Sequence, residues 1–276
     1  MRFTKAHGLG NDFLLVAHDQ APEAVAPWAR RLCDRHVGVG ADGLLLYQLE
    51  SDGVRMRLLN ADGSDGDISG NGLRCLAAHV VRSGWLPGRH VVKTPPGPRA
   101  VEVERLSDTR FRILTDLGEP VLRSDLIPVA LDPPAERVLG HVLEAGGQLV
   151  EICATSMGNP HCAVFLEQVA DDALLARVGP ALEQHAFFPR RTNVEFVTVV
   201  SRGELRVRFW ERGVGYTQAS GTGAASAAVA AMLTGRADRS VRVVCDGGTL
   251  EVQWPEGGVV RQTGEVEILF EGDWLG

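Results

Sequence analysis

No stretch of the 276-residue sequence approaches the ~18–20 uninterrupted apolar residues that a membrane span requires. The opening Met1-Arg2-Phe3-Thr4-Lys5-Ala6-His7 leads into Gly and Asn rather than an apolar signal core, so the expected address is the cytoplasm, with no membrane partner. Basic clusters are missing too. No Lys or Arg run exceeds the pairs Arg30-Arg31 and Arg190-Arg191, and 35 acidic against 28 basic residues leave a net charge of −7. That balance argues against a nucleic-acid surface and points to a small-molecule partner. There is no C-x-x-C pair. Cys33, Cys75, Cys153, Cys162 and Cys245 are odd in number and scattered, which indicates neither a disulfide framework nor a structural zinc site. His161-Cys162 is the one adjacent pair of candidate ligands, and further ligands at familiar spacing are missing, so no metal is expected.

What is present is a globular composition, 45% hydrophobic and 23% charged, enough to bury a sizeable core. Glycines separate short β-rich runs: Val101-Glu102-Val103-Glu104, Phe111-Arg112-Ile113-Leu114, Glu195-Phe196-Val197-Thr198-Val199-Val200 and Val241-Arg242-Val243-Val244. Two stretches break this pattern with small and apolar residues at helical length, Gly72 to Ser83 and Gly223 to Thr234. Each follows a Ser-Gly-x-Gly sequence. Laying Ser69-Gly70-Asn71-Gly72 on Ser220-Gly221-Thr222-Gly223 gives an offset of 151 residues, from 69 to 220. The same offset sets Arg55-Met56-Arg57-Leu58-Leu59 on Arg206-Val207-Arg208-Phe209-Trp210, Ala77 on Ala228 and Gly84 on Gly235. A neighbouring offset of 148, from 10 to 158, sets Gly10-Asn11 on Gly158-Asn159. Repeated order of strand, glycine loop, helix and strand predicts two similar lobes.

Taken singly, each glycine loop reads as well as a tight turn, and each Asn as an Asx turn. The pairing favours a site. A serine at the mouth of a helix caps an orphan backbone N–H, and the following glycines let a ligand reach the exposed amides. Such an end attracts anions. Two of them related by a pseudo-twofold axis predict a cleft that binds a carboxylate and sets one reactive side chain on each of two faces. Inverting a stereocentre beside a carboxylate uses that arrangement, because a proton leaves one face and another returns to the opposite one. The carbanion in between needs donors aimed at the carboxylate.

Several motifs carry a resemblance. They are Phe3-x-Lys5-x-His7-Gly8-x-Gly10-Asn11-Asp12-Phe13, Asn60-Ala61-Asp62-Gly63-Ser64, Gly70-Asn71-Gly72-x-Arg74-Cys75, Gly158-Asn159-Pro160-His161-Cys162, Arg191-Thr192-Asn193-Val194-Glu195-Phe196, Trp210-Glu211-Arg212-Gly213-x-Gly215 and Gly221-Thr222-Gly223-Ala224. In this order and from end to end, the chain resembles the diaminopimelate epimerases, isomerases of lysine and peptidoglycan precursor synthesis that work without pyridoxal phosphate. The resemblance implies an α+β fold of two pseudo-symmetric lobes, each a β-barrel-like mixed sheet around a central helix. The lobes are expected at 1–118, completed by 264–276, and at 119–263. It implies no cofactor, an amino-acid substrate and a cytoplasmic enzyme, for which a homodimer is an open expectation. Carried over residue by residue, it makes Asn11, Asn60, Asn159, Asn193, Glu211 and Arg212 substrate contacts, with Gly70, Asn71, Gly221 and Thr222 offering backbone amides to the reacting carboxylate.

The family's two catalytic positions hold cysteine, whereas this sequence has Ser69 and Ser220. Tyr216 stands where the family usually carries Glu, and Gly43 where some members have Gln. An alcohol needs an adjacent base where a thiol can ionise by itself. Three readings stay open. Two cysteines have been exchanged so that the protein binds without turnover; or the serines epimerise, activated by Asp65, Asp67, Glu211 or His161; or the scaffold serves a different proton shift on a small carboxylate. The catalytic candidates are therefore Ser69, Ser220, Glu211 and His161.

Overall fold

Phe13-Leu14-Leu15-Val16 and Leu44-Leu45-Leu46-Tyr47 are apolar and buried at every position, so their strands need a packed layer on each face. The computed structural model, which describes residues 1–66, 69–95 and 97–276, supplies both layers. Its elements are β1 (Arg2–Gly8), β2 (Asn11–Ala17), α1 (Val25–Cys33), β3 (Gly43–Glu50), β4 (Gly53–Asn60), β5 (Asp65–Gly66), α2 (Gly70–Arg82), β6 (Arg89–Thr94), β7 (Gly97–Arg105) and β8 (Arg110–Gly118). Then follow β9 (Val138–Ala145), β10 (Gln148–Ser156), β11 (Pro160–Leu166), α3 (Asp172–Glu183), β12 (Asn193–Ser201), β13 (Glu204–Glu211), β14 (Gly215–Thr217), α4 (Gly221–Leu233), β15 (Ser240–Cys245), β16 (Gly248–Gln253) and β17 (Val260–Asp273). The chain divides into two units, Met1–Asp116 with Thr263–Gly276, and Leu117–Gln262. It leaves the first along β8 and returns along β17.

In the first unit the strands pair in the order β1, β2, β3, β4, β6, β7, β8, β17 and back to β1, a closed ring of eight. Alternation along each strand sorts the side chains. Phe13, Leu15, Leu45 and Tyr47 face α2, whose Leu73, Leu76 and Val80 lie in the same cluster. Leu14, Val16, Leu44 and Leu46 join Ala29, Leu32 and Cys33 of α1 on the other side. Each fully buried leucine contributes about 1.5–3 kcal/mol, so the two layers together fix the register of β2 against β3.

The second unit repeats the plan with β9, β10, β11, β12, β13, β15 and β16 as successive neighbours. Its helix α4, Gly-Thr-Gly-Ala-Ala-Ser-Ala-Ala-Val-Ala-Ala-Met-Leu, is buried almost all round. That follows from its sequence: a helix with no polar face is enclosed, and alanine keeps it thin enough for strands to close on it while favouring the helix itself. Helix α3 covers the outside, with Leu175, Val178 and Leu182 against Val164, Val194 and Phe196.

The expected strands lie within β7, β8, β12 and β15, and both expected helices are present, each starting two residues earlier than the sequence suggested. Glycine at the first helical positions hides the start from propensity; the serine cap reveals it. The fold is of the α+β class implied by the resemblance, with a central helix in each unit. No described helix is long and apolar enough to cross a membrane.

Candidate functional site

Ser69 and Ser220 occupy equivalent places in their units. Each is the N-cap of its central helix, with extended backbone (φ −114°, ψ 121° and φ −130°, ψ 125°). Ser69 Oγ accepts from the Gly72 N–H at 3.1 Å and Ser220 Oγ from the Gly223 N–H at 3.3 Å. By helix geometry the amides of Gly70 and Asn71, and of Gly221 and Thr222, have no acceptor inside their helices. They are the natural anion seats of the two ends.

In the first unit the hydroxyl of Ser69 donates to Asn11 Oδ1 at 3.4 Å. The orientation of Asn11 is set from behind, because its Nδ2 donates to Asp42 Oδ2 at 2.8 Å. That leaves Oδ1 toward Ser69 and toward Asn71 Nδ2, 3.5 Å away. Asn71 is itself buried and accepts from Arg74. Asp42 belongs to a larger network in which Arg35 grips Asp12 through both nitrogens, at 3.2 and 2.7 Å, and reaches Asp42 at 2.8 Å. The buried ammonium of Lys5 also pairs with Asp12. Burial alone would raise the Asp12 carboxyl, but hydrogen bonds from Arg35 and Lys5 overrule it and hold the group well below the usual carboxylate range. A depressed folded value means stability that is present above the unfolded pKa of ~3.9 and is lost as pH falls below it. Asp12→Asn is expected to cost about 3 kcal/mol, since it strands Lys5, and to flatten the acid limb of a stability profile measured by urea unfolding.

Asn60 donates to Ser64 Oγ at 3.0 Å, within a turn tied by Asp62 to the Ser64 N–H at 2.9 Å. Asp65 is exposed and bonded to Arg57 at 2.9 Å, so it is committed away from Ser69; Asp67 lies outside the described residues. Among the described residues no carboxylate hydrogen-bonds Ser69.

The second unit differs at this point. Glu211, at the end of β13, accepts a hydrogen bond from Thr217 Oγ1 at 2.7 Å, and the Ser220 side chain is among the neighbours that stabilise its anion. Burial raises its pKa above the ordinary glutamate value, against the opposing pull of Thr217, His161 and Ser220. Beside it His161 is enclosed, with Nδ1 2.7 Å from Glu195 Oε1 and Nε2 2.9 Å from Asn159 Oδ1. Its partners are side chains rather than backbone. Asn193 acts as a clip, its Nδ2 donating to Pro160 O and its Oδ1 accepting from the Arg212 N–H, both at 3.0 Å. Arg212 also reaches Arg190 O at 3.3 Å. The turn after Glu211 is held by buried Glu183, which accepts from the Gly213 N–H and from Trp210 Nε1, each at 2.9 Å. Tyr216 turns its hydroxyl to Asp246 at 2.8 Å, with the Arg208 guanidinium over its ring.

The structure thus gathers Asn11, Ser69, Gly70 and Asn71 in one unit, and Asn159, His161, Asn193, Glu211, Arg212, Ser220, Gly221 and Thr222 in the other. Sequence reasoning missed Asp42, Glu183 and Glu195. Glu195 carried a signal: a lone carboxylate between Val194 and Phe196 in an apolar strand demands a partner. The five cysteines are buried, none of them stands at position 69 or 220, and burial pushes the Cys75 thiol up to about 12.

Residues 3–122 and 153–269 match the diaminopimelate epimerase family. Diaminopimelate epimerase of Desulforudis audaxviator is 46% identical over 280 residues, covering 100% of this chain and 99% of the relative. That of Pelotomaculum thermopropionicum is 44% identical, covering 99% of each. Among solved structures, a predicted epimerase from Pseudomonas aeruginosa superposes with a TM-score of 0.71 at 16% identity, covering 100% of this chain and 99% of that one. A hydroxyproline epimerase from Agrobacterium vitis gives 0.69 at 14% identity, over 99% and 90%. At those identities the structural likeness speaks to fold alone.

Proposed function

The chain belongs to the diaminopimelate epimerase family, a family of isomerases, and from that premise we propose that it moves the α-proton of a diamino-dicarboxylic acid, with diaminopimelate the first substrate to try. The reading needs no cofactor. The observation that carries it is Glu211, fixed by Thr217 Oγ1 at 2.7 Å and interacting electrostatically with Ser220, the N-cap of α4. An alcohol cannot take a proton from carbon unaided, but a half-buried carboxylate beside it can receive the hydroxyl proton as the hydroxyl receives the one from carbon. Amides of Gly221 and Thr222 then face the carboxylate of the carbanion, where donors are worth most. To Ser69, the matching cap of the first unit, we assign the return of a proton: its hydroxyl leaves Asn11 Oδ1 to protonate the carbanion, and water restores the proton to its oxygen. Asn11, Asn60, Asn159, Asn193 and Arg212 bind or shape the remainder of the substrate. We take the protein to work in the cytoplasm as a homodimer, an assembly that light scattering tests.

A second reading draws on the same contact of Ser69. With no described carboxylate at that hydroxyl, the protein could bind the amino acid and leave its configuration unchanged. Incubation of each diaminopimelate stereoisomer in D2O separates the two. An epimerase incorporates deuterium at the α-carbon and yields the other isomer; binding detected by calorimetry without label defeats the enzymatic reading.

A further inference from the structure

Glu195 sits mid-strand in β12 with its side chain fully enclosed, and nothing in the proposed chemistry uses it directly. Its Oε1 faces His161 Nδ1 at 2.7 Å, while its Oε2 is buried without a hydrogen-bond partner. The other ring nitrogen, Nε2, faces Asn159 Oδ1 at 2.9 Å. Both nitrogens therefore meet oxygens. A neutral imidazole carries one N–H and one bare nitrogen, and the bare nitrogen can bond only to an oxygen that brings its own hydrogen. An amide oxygen has none. A carboxylic acid does.

We propose that Glu195 is a positioning residue kept as the neutral acid: it donates its O–H to His161 Nδ1, His161 donates Nε2–H to Asn159 Oδ1, and Asn159 is thereby fixed with its N–H2 edge free for a hydrogen-bond acceptor of the substrate, a carboxylate. The bare Oε2 fits this state. On a carboxylic acid it is a carbonyl oxygen, whereas on a carboxylate it would be half of a buried charge with no donor. Charges around the group agree. Burial and the nearby Glu211 carboxylate favour the neutral form, and they prevail over His161 and over the Cys162 N–H, which lies near the carboxyl without hydrogen-bonding Oε2. Room for the acid is made by Gly223, where a Cβ would come within 3.0 Å of Glu195 Oε1. Asn11 in the first unit is fixed in the opposite sense, with Nδ2 spent on Asp42 and Oδ1 outward. The two asparagines thus present opposite edges, one accepting and one donating. Only the identity of the acceptor rests on the epimerase reading; the direction of the relay does not.

The test is the tautomer of His161 in the 15N-histidine-labelled full chain, read by two-bond proton–nitrogen correlation and assigned by the signal missing from His161→Gln. A neutral ring protonated at Nε2 is expected at neutral pH. A ring protonated at Nδ1, or a doubly protonated ring, overturns the proposal, and this spectrum decides it whether or not any substrate turns over. A second arm uses variants. In Glu195→Met, which has no donor, KM for the exchanging substrate should rise at least tenfold with a smaller change in kcat. Glu195→Gln, whose amide N–H can donate to Nδ1, should recover most of that loss. Equal KM values in the two variants would count against the relay. If wild-type chain shows the Nε2–H ring but exchanges no amino acid, the relay stands and the epimerase reading falls.

Discussion

Racemisation by the Ser69→Cys/Ser220→Cys variant is expected to exceed that of the serine chain by at least about a hundredfold, the lower end of what positioned acid–base groups supply. The reason lies in the caps. Each Oγ already accepts a backbone N–H from the third residue of its helix, Gly72 or Gly223, at a helix N-terminus. A sulfur in the same place meets the same amide and the same dipole, which lower a thiol from its ordinary ~8.5 toward neutrality. A serine hydroxyl gains the same contacts and stays un-ionised. Either single change should help by no more than about a tenth of the double, because inversion needs an acid and a base in one turnover and a lone thiol exchanges the proton only on its own side. Chiral chromatography of LL- and meso-diaminopimelate reads the outcome, and the gain should grow as pH rises toward the thiol pKa. Should the serine chain prove fast and the double variant slower, the serines are native working groups and the different-proton-shift reading takes precedence.

The lobes could be read before the structure because the features that specify them are local. Ser69-Gly70-x-Gly72 and Ser220-Gly221-x-Gly223 are caps whose geometry depends on four consecutive residues, and the alanine run after Gly223 says by itself that its helix is enclosed. The chemistry was less legible because it depends on pairings across long separations. Asp42 orients Asn11 from 31 residues away, and Glu195 meets His161 across 34, through the parallel register of β11 and β12. No periodicity announces such contacts. The same holds for Asp65, which looks like a base for Ser69 in sequence but is bonded to Arg57 on the neighbouring strand. It holds too for Asn193, whose amide binds two loops together at Pro160 and Arg212. A motif names the residues that matter; only the fold says which of them touch the substrate and which hold the others in place.

Glu211→Gln is expected to lower α-deuterium incorporation by about 10²–10⁴-fold, the contribution typical of a positioned general base, with little change in fold because Gln can still accept from Thr217. The pH dependence gives the assignment a sign that can be checked twice. Burial raises the folded pKa of Glu211 above the ~4.3 of a free glutamate. Activity should therefore rise with pH through a midpoint above that value, as the carboxylate forms and can take the Ser220 proton. Stability should move the other way. A raised carboxyl binds more protons in the folded chain than in the unfolded one between the two pKa values, so unfolding free energy falls as pH climbs through that window. Glu195 contributes a fall of the same sign, since burial raises it as well. Urea unfolding of wild type and Glu211→Gln across that range separates the two carboxyls. The variant should keep the part due to Glu195 and lose the part due to Glu211, together with the acid limb of the rate profile. A Glu211→Gln protein that exchanges deuterium at the wild-type rate would move the base away from Glu211.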